Sequence, residues 1–343
     1  MPKIKPVPFF LSVILLLCIT LFFISFLRVR PIVTKEIEIP LGSSTAHIAS
    51  ILQEEGLIQN AFLFQLLAKY KGYDKKLQAG RYQLNSNMSL EEILLELQTG
   101  IVKKEGIRFT IPEGFTVEQI AARMEEYQLV TKEDFLNFCR GEGSAAQLLQ
   151  NVGEIPPQVR FRCEGYLFPD TYEVHADATA EEIVEMMLAR FFEVFDEEYR
   201  LQAEKIGFSI HQIVTIASLI EKEAALPEER PLISAVFHNR LNSEASPFLQ
   251  SCATVQYILG ENKPVLTYQD LEIDSPFNTY LYPNLPPGPI ASPGRQALQA
   301  ALYPADADYM YFVSKEDGSG GHYFSRTLQE HNHFKSIAQQ NRR

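Results

Sequence analysis

The sequence predicts an α+β protein on a membrane anchor, with small mixed modules ahead of a larger α+β domain. Three observations point there. Phe9 to Leu27 is an uncharged apolar run long enough to cross a hydrocarbon core. A strand–turn–helix–helix pattern then occurs twice. Beyond it, apolar helical periods such as Ser209–Leu241 share the chain with strand-like runs such as Tyr309–Val313.

A chain of 343 residues suits an anchor and two or three small domains. Its 46% hydrophobic and 22% charged residues are those of a globular protein. A net charge of −12, with no Lys/Arg run or basic stripe, excludes a nucleic-acid partner. The apolar run is long for the core of a signal peptide and leads into Arg28-Val29-Arg30 without an Ala-x-Ala site. It therefore reads as an uncleaved transmembrane helix (9–27) after a cytoplasmic tail (1–8). Lys3 and Lys5 face Arg28, Arg30 and Lys35 across it, and single-anchor topology puts the remaining chain outside the cytoplasm. Cys18 lies in the run, which leaves Cys139, Cys163 and Cys252; three thiols cannot all pair within one chain. No CxxC or Cys/His cluster has the spacing of a metal site.

In the first module, Glu36–Ile39 alternates as a strand, and an amphipathic helix follows through Ile48, Ile51 and Leu52. A second helix covers Ala61–Lys71. Gly80–Leu84 is a strand, and Ser89-Leu90-Glu91-Glu92 opens a helix ending at Gly100. The opening then recurs at an offset of 72: Ile39-Pro40-x-Gly42, Ile48-Ala49, Glu54 and Leu57 match Ile111-Pro112-x-Gly114, Ile120-Ala121, Glu126 and Leu129. The strand–helix–helix–strand order of the first region resembles LysM-like modules, which bind peptidoglycan glycan. A spacer that holds the rest at a height above the membrane is the alternative. Ser144–Val159, with Pro156-Pro157, reads as a linker. The expected boundaries are 36–105, 106–160 for the second repeat and linker, and 161–343.

Glu164–Tyr172 alternates aromatics with acids, which fits either a sugar-binding wall or a buried aromatic turn. Ala180–Tyr199 reads as one amphipathic helix. Ser209 and Gln212 have the form of a capping box, and Pro227 breaks the stretch Ser209–Leu241 into two helices. Apolar residues cover most of the first helix; His211, Thr215, Ser218 and Lys222 make a narrow polar strip. Glu221 and Glu223 both fall among apolar neighbours, where desolvation raises a carboxyl pKa and suits it to general acid work. Two residues apart, they point to nearly opposite sides and cannot act together on one bond. Periodicity leaves the choice between them open. The Pro/Gly loop Leu285–Gly294 suits the rim of a cleft. Tyr309–Val313 is a buried strand by composition, and the His331-x-His333 of the last helix is surface rather than a ligand pair.

Eight strings in order then resemble the MltG (YceG-like) family of membrane-anchored endolytic murein transglycosylases. They are Ile111–Gly114, Glu164–Tyr172, Ala217–Glu223, His238–Leu241, Leu249–Tyr257, Ser275–Tyr280, Leu285–Gly294, and Gly320–Phe324 with His331-Asn332. The resemblance implies that 161–343 is a catalytic domain on the periplasmic or outer face of the cell (inner) membrane. It implies that Glu221 is the catalytic acid. Glu164, Asp170, Asn239, Gln250, Asn278 and Tyr280 become candidates for substrate binding, with no metal or cofactor. Peptidoglycan glycan strands are the implied partner and peptidoglycan synthases a candidate one. Family members carry Asp where Cys252 stands, and the two cysteine-bearing motifs are expected in one cleft, so a Cys163–Cys252 disulfide is expected. A non-catalytic wall-binding scaffold is the alternative function. A pyridoxal-phosphate enzyme is disfavoured by the anchor and the lack of a phosphate cradle.

Overall fold

The computed structural model describes residues 34–342 apart from 41, 100–105, 141–143, 246, 262 and 264. The expected tail and transmembrane helix lie outside the described residues. Among the described residues no helix is long and apolar enough to cross a membrane. The chain divides into two compact units at Lys104/Glu105.

In the first unit, β1 (Thr34–Ile39) pairs antiparallel with β2 (Gly80–Asn85), from Thr34↔Asn85 to Ile39↔Gly80. Between them run α1 (Thr45–Glu54) and α2 (Ala61–Lys71); α3 (Leu90–Thr99) follows. Ser44 and Asn60 cap the first two helices through their side chains, and Gly72, at φ +69°, ends α2 in a left-handed turn. Alternation turns Ile37, Ile39, Tyr82 and Leu84 inward onto Ile48, Leu52, Phe64 and Leu97.

The second unit opens with the same pattern. β3 (Gly106–Thr110) leads to α4 (Val117–Glu126) and α5 (Lys132–Cys139), capped by Thr116 and Thr131. Ile39 and Ile111, Ile48 and Ile120, Ala49 and Ala121, and Leu57 and Leu129 are buried in both copies. Thr116 and Gln119 form a full capping box, and Ser44 occupies the matching position of the first copy. The closing strand of the second copy is β4 (Thr171–His175), paired antiparallel with β3. The boundary expected at 160/161 therefore falls inside this unit. Nor is 144–159 a linker: α6 (Ser144–Leu148) and a 3-10 turn at Leu149–Val152 bury Ala145, Leu149 and Val152 in the unit's core.

The helix expected over Ala180–Tyr199 is two, α7 (Ala180–Val194) and α8 (Glu197–Lys205), because Asp196 caps a new N-terminus by accepting from the Tyr199 N–H. α9 (Ile210–Glu223) starts at the Ser209/Gln212 capping box and is buried on nearly all sides. Of its expected polar strip, His211, Thr215 and Ser218 are buried and hydrogen-bonded, whereas Lys222 is exposed, with Nζ 3.3 Å from the Gly114 carbonyl. Thr215 Oγ1 donates to the His211 carbonyl at 2.7 Å, and Ser218 Oγ to that of Thr215 at 2.7 Å. His211 sits between Tyr166 Oη at 2.7 Å and the Pro287 carbonyl at 2.8 Å. A 3-10 turn at Pro227–Glu229 separates α9 from α10 (Arg230–Leu241). There follow α11 (Cys252–Leu259), α12 (Tyr268–Leu271) and α13 (Arg295–Leu302), the last packed on α9 and α10. β5 (Tyr311–Ser314) is half-buried rather than buried. It pairs with β6 (His322–Ser325), and α14 (Leu328–Asn341) packs on both.

Candidate active site

The end of α9 presents two carboxyls to two different surroundings. Glu221 Oε1 lies 3.2 Å from Arg230 Nη2, and its Oε2 accepts the Gly294 N–H at 3.0 Å. The side chain is 7% exposed. Burial pushes the carboxyl above its usual range, against the pull of the Gly294 N–H and of Arg230. Glu113 stands close by, 3.9 Å from Arg230 Nη2 and so near Gly294 that a Cβ there would meet its Oε1 at 1.8 Å. This corner is held by backbone bonds from Gly114 N to the Ser292 carbonyl and from Ser292 N to the Phe115 carbonyl, both 2.8 Å. Both oxygens of Glu221 are thus engaged by donors that favour its charged form.

Glu223 faces the other way. Its Oε1 accepts from Ser251 Oγ at 2.5 Å, and the Ala253 N–H also reaches it. Burial again raises the carboxyl, opposed by Ser251, by His322 and by that N–H. No ion pair to Glu223 occurs among the described residues. Protein atoms surround it, yet the residue is not wholly closed off from solvent. His322 is held by Glu229, which accepts its backbone N–H at 2.9 Å and lies 2.6 Å from its Nδ1. Tyr280 Oη and Cys252 Sγ meet at 3.1 Å beside this carboxyl, and Ser251 N donates to Thr279 Oγ1 at 3.0 Å. Gln250 adjoins Ser251 at φ +52°, exposed and in a strained conformation for a non-glycine residue.

A cavity of about 490 Å³ borders this region, lined in part by Lys222, Ala253, Gln256, Tyr257, Phe277 and Glu164. Glu164 is fully buried and accepts from the Val117 N–H at 3.1 Å and Tyr257 Oη at 3.3 Å. Burial drives its pKa up to about 8, so it carries a proton at neutral pH.

The other expected site residues divide cleanly. Asp170 is tied to Arg190 Nε at 2.8 Å and to the Thr171 N–H, which together hold its carboxyl below the usual range despite burial. It is not among the groups acting on either glutamate of α9. Asn239 Nδ2 donates to the Ala307 and Tyr309 carbonyls, and Asn278 Nδ2 to those of Leu271 and Ile273, so both brace loops. Gly165 to Pro169 are buried, which makes Glu164–Tyr172 an aromatic turn rather than a sugar-binding wall. The expected Cys163–Cys252 disulfide does not form. The turn drives Cys163 into the core against the Cys139 thiol, Cys252 stays exposed beside Tyr280, and all three thiols are free. Among the described residues no cluster of His, Cys, Asp and Glu could hold a metal ion.

Glu113, Arg230, Ser251, Glu229 and His322 were not singled out by sequence reasoning. Glu113, Ser251 and His322 sit inside quoted motifs, which was the available signal. Glu229 and Arg230 lie in Pro227-Glu228-Glu229-Arg230, a run that reads as a solvated turn.

An α+β unit with two desolvated carboxyls at the end of a buried helix, walled by these motifs, defines the class. Residues 37–336 match the YceG-like family, and the chain belongs to it. The chain is 37% identical over 309 residues to an endolytic murein transglycosylase of Bacillus subtilis, covering 88% of this chain and 84% of that protein. An endolytic murein transglycosylase of Streptococcus pneumoniae is 35% identical over 314 residues, covering 85% of this chain and 56% of the longer relative. The crystal structure of a yceG-like protein from Listeria monocytogenes superposes with a TM-score of 0.61 at 38% identity, covering 88% of this chain and 99% of that one.

Proposed function

We propose that the chain is a membrane-bound endolytic peptidoglycan lytic transglycosylase that cuts the MurNAc–GlcNAc bond within nascent glycan strands, with Glu223 as its acid. Residues 9–27 anchor it and the folded part works outside the cytoplasm. The first unit serves as a LysM-like glycan-binding module, and peptidoglycan synthases are the candidate partners. Glu221 is the residue that the family resemblance implied. The observation that favours Glu223 is its surroundings: a hydroxyl partner and no bonded cation, against Glu221, whose oxygens are held by Arg230 and the Gly294 N–H. An acid must hold a proton and reach the substrate, and burial raises the Glu223 carboxyl where no cation is bonded to it.

One carboxyl suffices for this reaction. The protonated acid delivers its proton to the glycosidic oxygen as the C1–O bond breaks. The resulting carboxylate then takes the proton of the MurNAc 6-hydroxyl as that oxygen bonds to C1, closing a 1,6-anhydro ring. No water is activated, and the substrate's acetamido group can stabilise the cationic centre, so a second carboxylate is not required. Desolvation raises the Glu223 pKa, which favours the protonated form that the step needs.

The test uses uncrosslinked glycan strands and mass spectrometry of their ends. Anhydro ends from the wild type and from Glu221→Gln, but not from Glu223→Gln, are the expected result. Loss with Glu221→Gln alone would reverse the assignment. Reducing ends would mean a hydrolase, and strand binding without cleavage would favour a wall-binding scaffold.

A further inference from the structure

α2 carries a face that its own module leaves uncovered. Phe64 and Ala68 point into the core, whereas Phe62, Leu63, Leu66 and Tyr70 are 69%, 51%, 54% and 85% exposed. At about 100° per residue these four fall within one third of the helix circumference, a continuous apolar stripe ending in an aromatic ring. Lys69-Tyr70-Lys71-Gly72-Tyr73-Asp74-Lys75-Lys76 follows, four lysines to one acid in a chain of net charge −12. Lys71 is paired with Glu91, and Lys69, Lys75 and Lys76 are exposed.

We propose that this face of α2 lies on the anionic surface of the bilayer, with Phe62, Leu66 and Tyr70 in the interfacial layer and the three lysines against lipid headgroups. The inference rests on the anchor proposed above. Only residues 28–33 separate the apolar run from β1, a reach of about 22 Å at full extension. The module therefore cannot leave the neighbourhood of the membrane. An amphipathic face with aromatic residues and flanking lysines is the chemistry that partitions into that layer. A protein partner is the competing occupant. The clustered lysines, against the acidic balance of the whole chain, favour anionic lipid.

The chain has no tryptophan, so a single substitution creates a unique reporter. Full-length Tyr70→Trp would be reconstituted in phosphatidylcholine vesicles containing phosphatidylglycerol, with and without brominated acyl chains. His47→Trp, at an exposed position of α1, is the control. The expected result is a blue-shifted Tyr70→Trp emission that falls by about half with brominated lipid, as for a ring several ångströms into the interface. His47→Trp should be unaffected. Flotation of the same vesicles reads the anchor separately. Floating vesicles in which Tyr70→Trp is quenched no more than His47→Trp overturn the lipid-facing assignment and leave the anchor standing. A chain that neither floats nor is quenched overturns both.

Discussion

Glu229 grips His322 at two points, accepting the backbone N–H at 2.9 Å and facing the ring Nδ1 at 2.6 Å, although 93 residues separate them. The contact fastens the β6 end of the hairpin to the turn between α9 and α10 and sets the imidazole beside Glu223. Removing the carboxylate strands both donors in a buried place. Glu229→Ala should lower stability by about 1–3 kcal/mol, seen as a lower thermal midpoint, with Glu229→Gln recovering part of it.

The two carboxyls of α9 should separate in their effects. Arg230→Leu leaves Glu221 without its cation and should cost about 3 kcal/mol in urea unfolding while chemistry persists. Glu223→Gln should unfold close to the wild type and cut anhydro-end formation by about 10²–10⁴-fold. If Arg230→Leu abolished cleavage in a fully folded protein, Glu221 would return as the acid.

Glu164 gives a pH signature. Its pKa is near 8 in the fold and ordinary in the unfolded chain, so the folded state binds the extra proton between those values. Stability from this group is complete at acid pH, declines as pH rises through the window up to about 8, and levels off above it. Glu164→Gln keeps an acceptor for Val117 N–H and cannot titrate. The fall in urea midpoint between pH 5 and pH 8 should therefore be smaller in Glu164→Gln by an amount worth about 2 kcal/mol or more.

Cys252 should be the thiol that alkylates in the native protein, because it is exposed while Cys139 and Cys163 are buried. Burial of the sulfur and the nearby Glu223 carboxylate raise its pKa against the bond from Tyr280, so labelling should quicken as pH rises. Peptide mapping by mass spectrometry should find, among Cys139, Cys163 and Cys252, an adduct on Cys252 alone, and a bulky maleimide there should block strand cleavage. An adduct on Cys139 or Cys163 in folded protein would contradict their packing against each other.

Gly165 should not tolerate a side chain. It adopts φ +84°, and a Cβ would meet Pro289 at 2.4 Å and Val214 at 2.9 Å. Gly165→Ala adds backbone strain to a clash with a proline ring, and should cost about 3 kcal/mol or more in thermal or urea unfolding.

Local signals were legible in the sequence. The Ser209/Gln212 box and the Pro227 break depend on neighbours within one or two turns, and the repeat at offset 72 on matching residue identities alone. The break at Phe195-Asp196 was not, because Val194 and Phe195 sustain the apolar period up to the new cap. Nor could periodicity choose between Glu221 and Glu223, since their partners come from Arg230, Ser251, Gly294 and His322. The disulfide expectation failed for a related reason. Motifs bordering one cavity need not turn every side chain toward it, and Cys163 turns inward. Glu164 kept its place beside that cavity, whereas Asn239 and Asn278 proved to be loop braces.

The duplicated pattern sets different waiting times on the two copies. β1 meets β2 after a loop of 40 residues, from Ile39 to Gly80, so the first unit can complete its pairing once Asn85 has been synthesised. In the second copy Thr110 pairs with Thr171, and the segment carrying Cys163 and Glu164 must be made first. Longer closure slows folding and prolongs exposure of unpaired edges. During synthesis the first unit would stand finished while β3 still awaited its partner, and chaperone demand should concentrate on the stretch between them.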